Sequence, residues 1–259
     1  MVRALRKLVS LPVQWAGQIA VVLSDQAGAA LMGAAWRIGR DGQVARQALM
    51  YAMKSAGAEV SYALATRWMA SYPQAEIAHW AGILAADAGD LPAARDWLAR
   101  GRACGEDIGG FAEWLELCIA QRAGGDEINE VVERLSGRQD LLPLVRRTIL
   151  EHQAGRDLLR RDFDAARRRA KYLVGVEDNP QAEMILWATA RQAGDLRAAS
   201  RHLARAGKGL PPAQLNYMRC LGAWAIRDAD ELRQAHAALA DLDEHLAASM
   251  SALLAGKGE

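Results

Sequence analysis

The sequence predicts an all-α fold, a solenoid of antiparallel helix pairs. Three observations carry this. One stretch is written twice: residues 73–101 read PQAEIAHWAGILAADAGDLPAARDWLARG and residues 180–207 read PQAEMILWATARQAGDLRAASRHLARAG. Self-similarity between distant segments is the mark of a repeat architecture. Apolar residues recur at three- and four-residue spacing along most of the chain, the period of a helix with one buried face. The composition is 51% hydrophobic and dominated by Ala, Leu and Arg, good helix formers, with only seven prolines to interrupt them.

Each copy encodes a helix, a tight turn and a second helix. In the first, Ile77, Trp80, Ala81, Leu84, Ala85 and Ala88 share one face. Gly89 ends that helix, Asp90 caps the next and Pro92 sits in its first turn, where a missing N–H costs nothing. Leu91, Ala94, Trp97 and Leu98 form the apolar stripe of the second helix, and Gly101 is expected to end it. Small residues at Ala81, Ala85 and Ala94, matched by Ala188, Ala190 and Ala199, let paired helices approach closely.

These residues resemble the tetratricopeptide repeat family. The Ala-Gly-Asp-Leu turn, the Ala pair after it and the trailing Leu-Ala look like that family's turn and second helix, and Pro211 looks like its closing Pro. The family's aromatic positions in the first helix are often Ala here. The resemblance implies a right-handed superhelix that binds a protein segment. It carries over no carboxylate clamp, because Asn129, Asn179 and Asn216 lie in no Lys/Asn pattern.

Taken in order, residues 1–39 form a separate N-terminal segment. A basic start, MVRALRK, is followed by Leu8–Ser24 without a charge. A secretory signal and a transmembrane span are two readings, though the 17-residue run is short for a span and includes Pro12, Gln14 and Gln18. The third is an amphipathic helix with Leu8, Leu11, Trp15, Ile19 and Val22 on one stripe, docking on protein or lying on a membrane surface. Residues 40–240 form the repeat domain of about six helical hairpins. The small residue early in each second helix is expected at Ala63, Ala94, Val131, Ala166, Ala199 and Ala235, spaced by 31 to 37 residues. Residues 102–109 read as a loop, and Leu141–Arg161 as a long helix that Gly155 could bend. Residues 241–259 are a capping helix and tail, since the ends of a solenoid need covers.

No P-loop, nucleophile elbow or His-Glu-x-x-His helix is present, and no enzyme activity, cofactor or metal is expected. The five histidines are scattered, and His79 reads as solvated or at the core edge. Cys104, Cys118 and Cys220 have no metal-ligand spacing and read as free thiols. The net charge of +1 gives no global attraction to nucleic acid or membranes, but the charge is unevenly placed. Eight acids oppose one base between Glu106 and Glu133, whereas eleven bases oppose five acids between Arg134 and Lys171. The bland reading is ion pairing on a solvated face. The functional reading is a positive surface for an acidic partner, formed by Arg156, Arg160, Arg161, Arg167, Arg168, Arg169 and Lys171. Nucleic acid is disfavoured, because only Phe163 and Tyr172 lie near the basic run and no stacking platform interleaves it. The expected role is a protein-interaction scaffold or assembly subunit in the cytoplasm. The alternative is a membrane-associated assembly factor held by residues 1–36. The partner expected is another protein presenting an acidic or helical segment.

Overall fold

A computed structural model describes residues 13, 14, 16, 24–105 and 110–256. Among them the chain is an all-α solenoid: fourteen helices and no strand. The helices are α1 (Asp25–Gly39), α2 (Gly42–Ala56), α3 (Ala58–Ser71), α4 (Ala75–Asp87), α5 (Leu91–Ala103), α6 (Phe111–Ala123) and α7 (Glu127–Ser136), then α8 (Pro143–Leu159), α9 (Phe163–Val176), α10 (Pro180–Gln192), α11 (Leu196–Gly209), α12 (Pro212–Ile226), α13 (Ala229–Ala240) and α14 (Glu244–Gly256). They fall into two compact units, residues 1–145 and 146–259.

One device starts most second helices. Asp90, Asp162, Asp195 and Asp228 each turn a carboxylate oxygen onto a backbone N–H of the first turn that follows, at 2.9–3.1 Å. Such caps satisfy donors that the helix itself leaves open. The residue before each Asp takes the left-handed conformation. In the two clear copies it is Gly89 and Gly194, but in two other turns it is Arg161 (φ 64°) and Arg227 (φ 61°).

In the first unit, α1 packs closely on α2, although the sequence sets residues 1–39 apart from the repeats. Trp36 is buried and stacks on Trp68 with ring centroids 4.2 Å apart. Its Nε1–H donates to Gln74 Oε1 (2.9 Å), and Gln74 Nε2 donates to the Arg40 carbonyl (2.6 Å). The Gln of the repeated Pro-Gln-Ala-Glu thus ties the end of α1 to the start of α4. Val13 also packs against this core.

Three expectations need correction here. Ala63 is exposed; the small buried residues of α3 are Ser61 and Ala65, and Ser61 is the one early in the helix. Two residues along a helix turn a side chain about 200° around the axis, hence to the far face. The Ser61 hydroxyl donates to the Leu49 carbonyl (2.8 Å) and accepts from Trp80 Nε1 (3.0 Å), so the close crossing carries hydrogen bonds as well. Gly101 does not end α5, which runs on to Ala103. It is a contact glycine, and a Cβ there would lie 2.2 Å from His79 Nε2. His79, in turn, is fully buried.

The second unit repeats the plan. Ala166, Ala170 and Leu173 of α9 and Ala199 of α11 are buried against α10, whose Trp187 is 2% exposed. A Cβ at Gly222 would come within 2.6 Å of the Trp187 ring, so α12 crosses α10 at close range. Helix α8 runs unbroken through Gly155. Cys220, Ala235, Leu239, Ala247 and Met250 form a smaller core under α14.

Candidate functional site

Three acids of the acidic block, Glu113, Glu116 and Glu127, are paired inside the first unit. Arg134 pairs with Glu116 (2.7 Å), Arg138 with Glu113 (2.6 Å) and Asp140 (2.7 Å), Arg95 with Glu127 (2.8 Å), and Arg102 with Glu116 (3.1 Å). Arg134–Glu116 and Arg102–Glu116 join consecutive helices and Arg95–Glu127 joins α5 to α7, so part of the charge order in the sequence serves pairing between elements.

The basic candidates of the second unit divide into two groups. Some are engaged. Arg169 of α9 pairs with Asp157 of α8, and Arg156 is half-buried. Arg147 pairs with Glu177 (2.6 Å) and lies 3.5 Å from Glu151. Burial is the largest influence on Glu151 and raises its carboxyl above the ordinary value, although Asn179 Nδ2 donates to it at 2.6 Å. Others face outward. Arg160 and Arg161 are exposed at the α8–α9 turn, and Arg168 and Lys171 are exposed on α9.

Arg167 and Lys171 come together. One helical turn apart on α9, they line an open cleft of about 240 Å³ whose other walls come from α10 and α11. Leu186, Ala190 and Ala193 make its apolar side, and His202 and Asp195 complete the polar side. The Arg167 guanidinium donates through Nη2 to the Thr189 carbonyl (2.9 Å), near the end of α10 where the helix dipole favours a cation. Asp195 uses Oδ1 to cap α11, accepting from Ala198 N at 2.9 Å. His202 Nδ1 lies 2.5 Å from Oε2 of the buried Glu183, whose other oxygen is 3.4 Å from Arg205.

Sequence reasoning found Arg167 and Lys171 but missed Thr189, Ala190, Ala193 and His202. The walls come from three helices, so no local spacing announces them. One signal was available: His202 stands in the second copy where Trp97 stands in the first.

Cys104, Cys118 and Cys220 are free thiols. Burial pushes Cys118 up to about 12 and Cys220 up to about 11, and Cys104 is also raised by burial. Among the described residues no group of His, Cys, Asp and Glu is arranged to hold a metal ion. Nor is any helix among them long and apolar enough to cross a membrane. The proposed N-terminal docking residues Leu8, Leu11, Trp15, Ile19 and Val22 lie outside the described residues.

The described geometry has a counterpart among solved structures. The chain superposes on the crystal structure of PilW, a widely conserved type IV pilus biogenesis factor, with a TM-score of 0.52 over 79% of this chain and 94% of that one. The chain has a helical-repeat fold. Sequence identity over the match is 14%, so the likeness concerns the fold alone. No family model matches the sequence, and no curated protein matches it either.

Proposed function

We propose that the chain is a non-enzymatic scaffold of tetratricopeptide-like hairpins, an assembly or adaptor subunit that binds a segment of another protein. The observation that carries this is the cleft between α9, α10 and α11, set into a stack of helical hairpins. At about 240 Å³ it falls below the roughly 300–1,000 Å³ of small-molecule sites and is sized for a side chain. Solenoids bury apolar surface between neighbouring repeats and leave long ridged faces for partners. The part that PilW, of the same fold, plays in pilus biogenesis supports a role in assembling other proteins.

The test is the native size of the protein. Size-exclusion chromatography of a gentle extract should place the chain in a complex well above its own 28.1 kDa. Elution of the whole pool as a free monomer would sink the scaffold reading. A second reading, membrane attachment through residues 1–36, is favoured by the uncharged run beside the basic start. Recovery of the protein in the membrane fraction, and its release on deleting residues 1–23, is the outcome that reading requires.

A further inference from the structure

Among the differences between the two copies, one set of substitutions opens the cleft. Matching the shared motifs puts His202 where the first copy has Trp97 and Thr189 where it has Gly82. Matching the buried positions Ser61, Ala65 and Trp68 to Ala166, Ala170 and Leu173 puts Arg167 at the position of Tyr62 and Lys171 at that of Thr66. In the first copy this space is closed. Trp97 is buried and its Nε1–H donates to the Tyr62 hydroxyl (2.9 Å), the two rings meeting edge-to-face at 6.3 Å. In the second copy the aromatic pair is replaced by a guanidinium and an imidazole, and the space is open.

We propose that this cleft receives the carboxylate of a glutamate side chain on an acidic segment of a partner protein. The proposal rests on the scaffold reading and names where and how the segment is held. Like charges four residues apart on a helix destabilise it, and Arg167 and Lys171 are such a pair. An entering carboxylate relieves that repulsion. Among the described residues Arg167 has one nitrogen engaged, on Thr189, and its fork keeps further N–H donors for a carboxylate. The single acid of the wall, Asp195, already turns an oxygen to the α11 N-terminus. His202 is held through Nδ1 by Glu183, and its other ring nitrogen has no hydrogen bond among the described residues. The apolar side, Leu186, Ala190 and Ala193, suits the methylene groups of a glutamate, which an inorganic anion lacks. Exposed Arg160, Arg161 and Arg168 on α9 and its leading turn extend the positive field to the acids on either side.

The experiment titrates the full chain with a synthetic peptide of alternating Glu and Ala, followed by amide correlation spectra at about 0.15 M salt. Resonances of Lys171, Ala190, Ala193 and His202 should shift together and saturate. The doubly substituted chain Arg167→Tyr with His202→Trp rebuilds the first copy's closure and should bind about tenfold more weakly, a difference of about 1.4 kcal/mol. Lys171→Glu is an exposed change that keeps the test valid if the double substitution misfolds, and it should weaken binding to the same degree. Equal binding by wild type and folded variants overturns the proposal. So does inorganic phosphate filling the cleft as tightly as the peptide, or an oligouridylate of matched charge binding more tightly. If the native complex seen by size exclusion survives Lys171→Glu intact, the scaffold stands and the cleft assignment falls.

Discussion

Two glycines put the helix crossings to a quantitative test. Gly101 lies in α5 and Gly155 in α8, and alanine at either position gains about 1 kcal/mol of helix propensity. That gain is common to both, so it cancels in the comparison. At Gly155 a new Cβ meets nothing within 4 Å. At Gly101 it meets His79 Nε2 at 2.2 Å and Cδ2 at 2.4 Å, against about 3.5–4.0 Å for atoms at rest. The imidazole is fully buried and cannot swing into solvent, so α4 and α5 must part. Overpacking of this kind costs about 1–3 kcal/mol. Gly155→Ala should therefore stabilise by about 1 kcal/mol, and Gly101→Ala should range from neutral to about 2 kcal/mol destabilising. For a chain of this size each kcal/mol moves the melting temperature by about 2–4 °C. Thermal melts by far-UV circular dichroism give the ranking, and amide exchange in α4 and α5 assigns the loss to the first unit. Equal stabilisation by both alanines would refute the close α4–α5 crossing.

Three further outcomes are expected. Ala199→Trp, at a position 3% exposed, should lower the melting temperature far more than Ser200→Trp on the exposed neighbouring position; equal melts would mean the register of α11 is wrong. Arg161→Gly should stabilise by about 1 kcal/mol in urea titrations, because it relieves a left-handed backbone that glycine adopts freely. Asp228 both caps α13 and pairs with Arg191, and the Arg191 hydrogen bond is the main cause holding its carboxyl below the ordinary 3.8. Its contribution is therefore full above that value and is lost as pH falls through the lowered one. Asp228→Asn should destabilise at neutral pH, with the gap to wild type closing in acid; a gap that widens in acid would contradict the assignment.

Much of the fold was legible in the chain itself, for a local reason. The period of the apolar residues, the Ala-Gly-Asp-Leu turns and the Asp caps all act within a few residues, and helical hairpins are built from such short-range rules. Thus α4 with α5 and α10 with α11 could be drawn from the duplicated motif, and Ile128, Val131, Val132 and Leu135 could be assigned to the core of α7 before any coordinates, and all four are buried. What the tertiary structure decided lies between helices. Gly101 looked like a stop signal because glycine serves ends and close contacts equally; only the approach of His79 tells them apart. Ala63 and Ser61 are both small, and which one meets α2 depends on the rotation of α3 in its packed position. The seven basic candidates formed one cluster in the sequence. Packing turned Arg169 onto Asp157 and left Arg167 and Lys171 facing a cleft whose remaining walls come from two later helices. Charge order along a chain limits which pairs can form, but the helix rotations set by buried alanines and tryptophans choose among them.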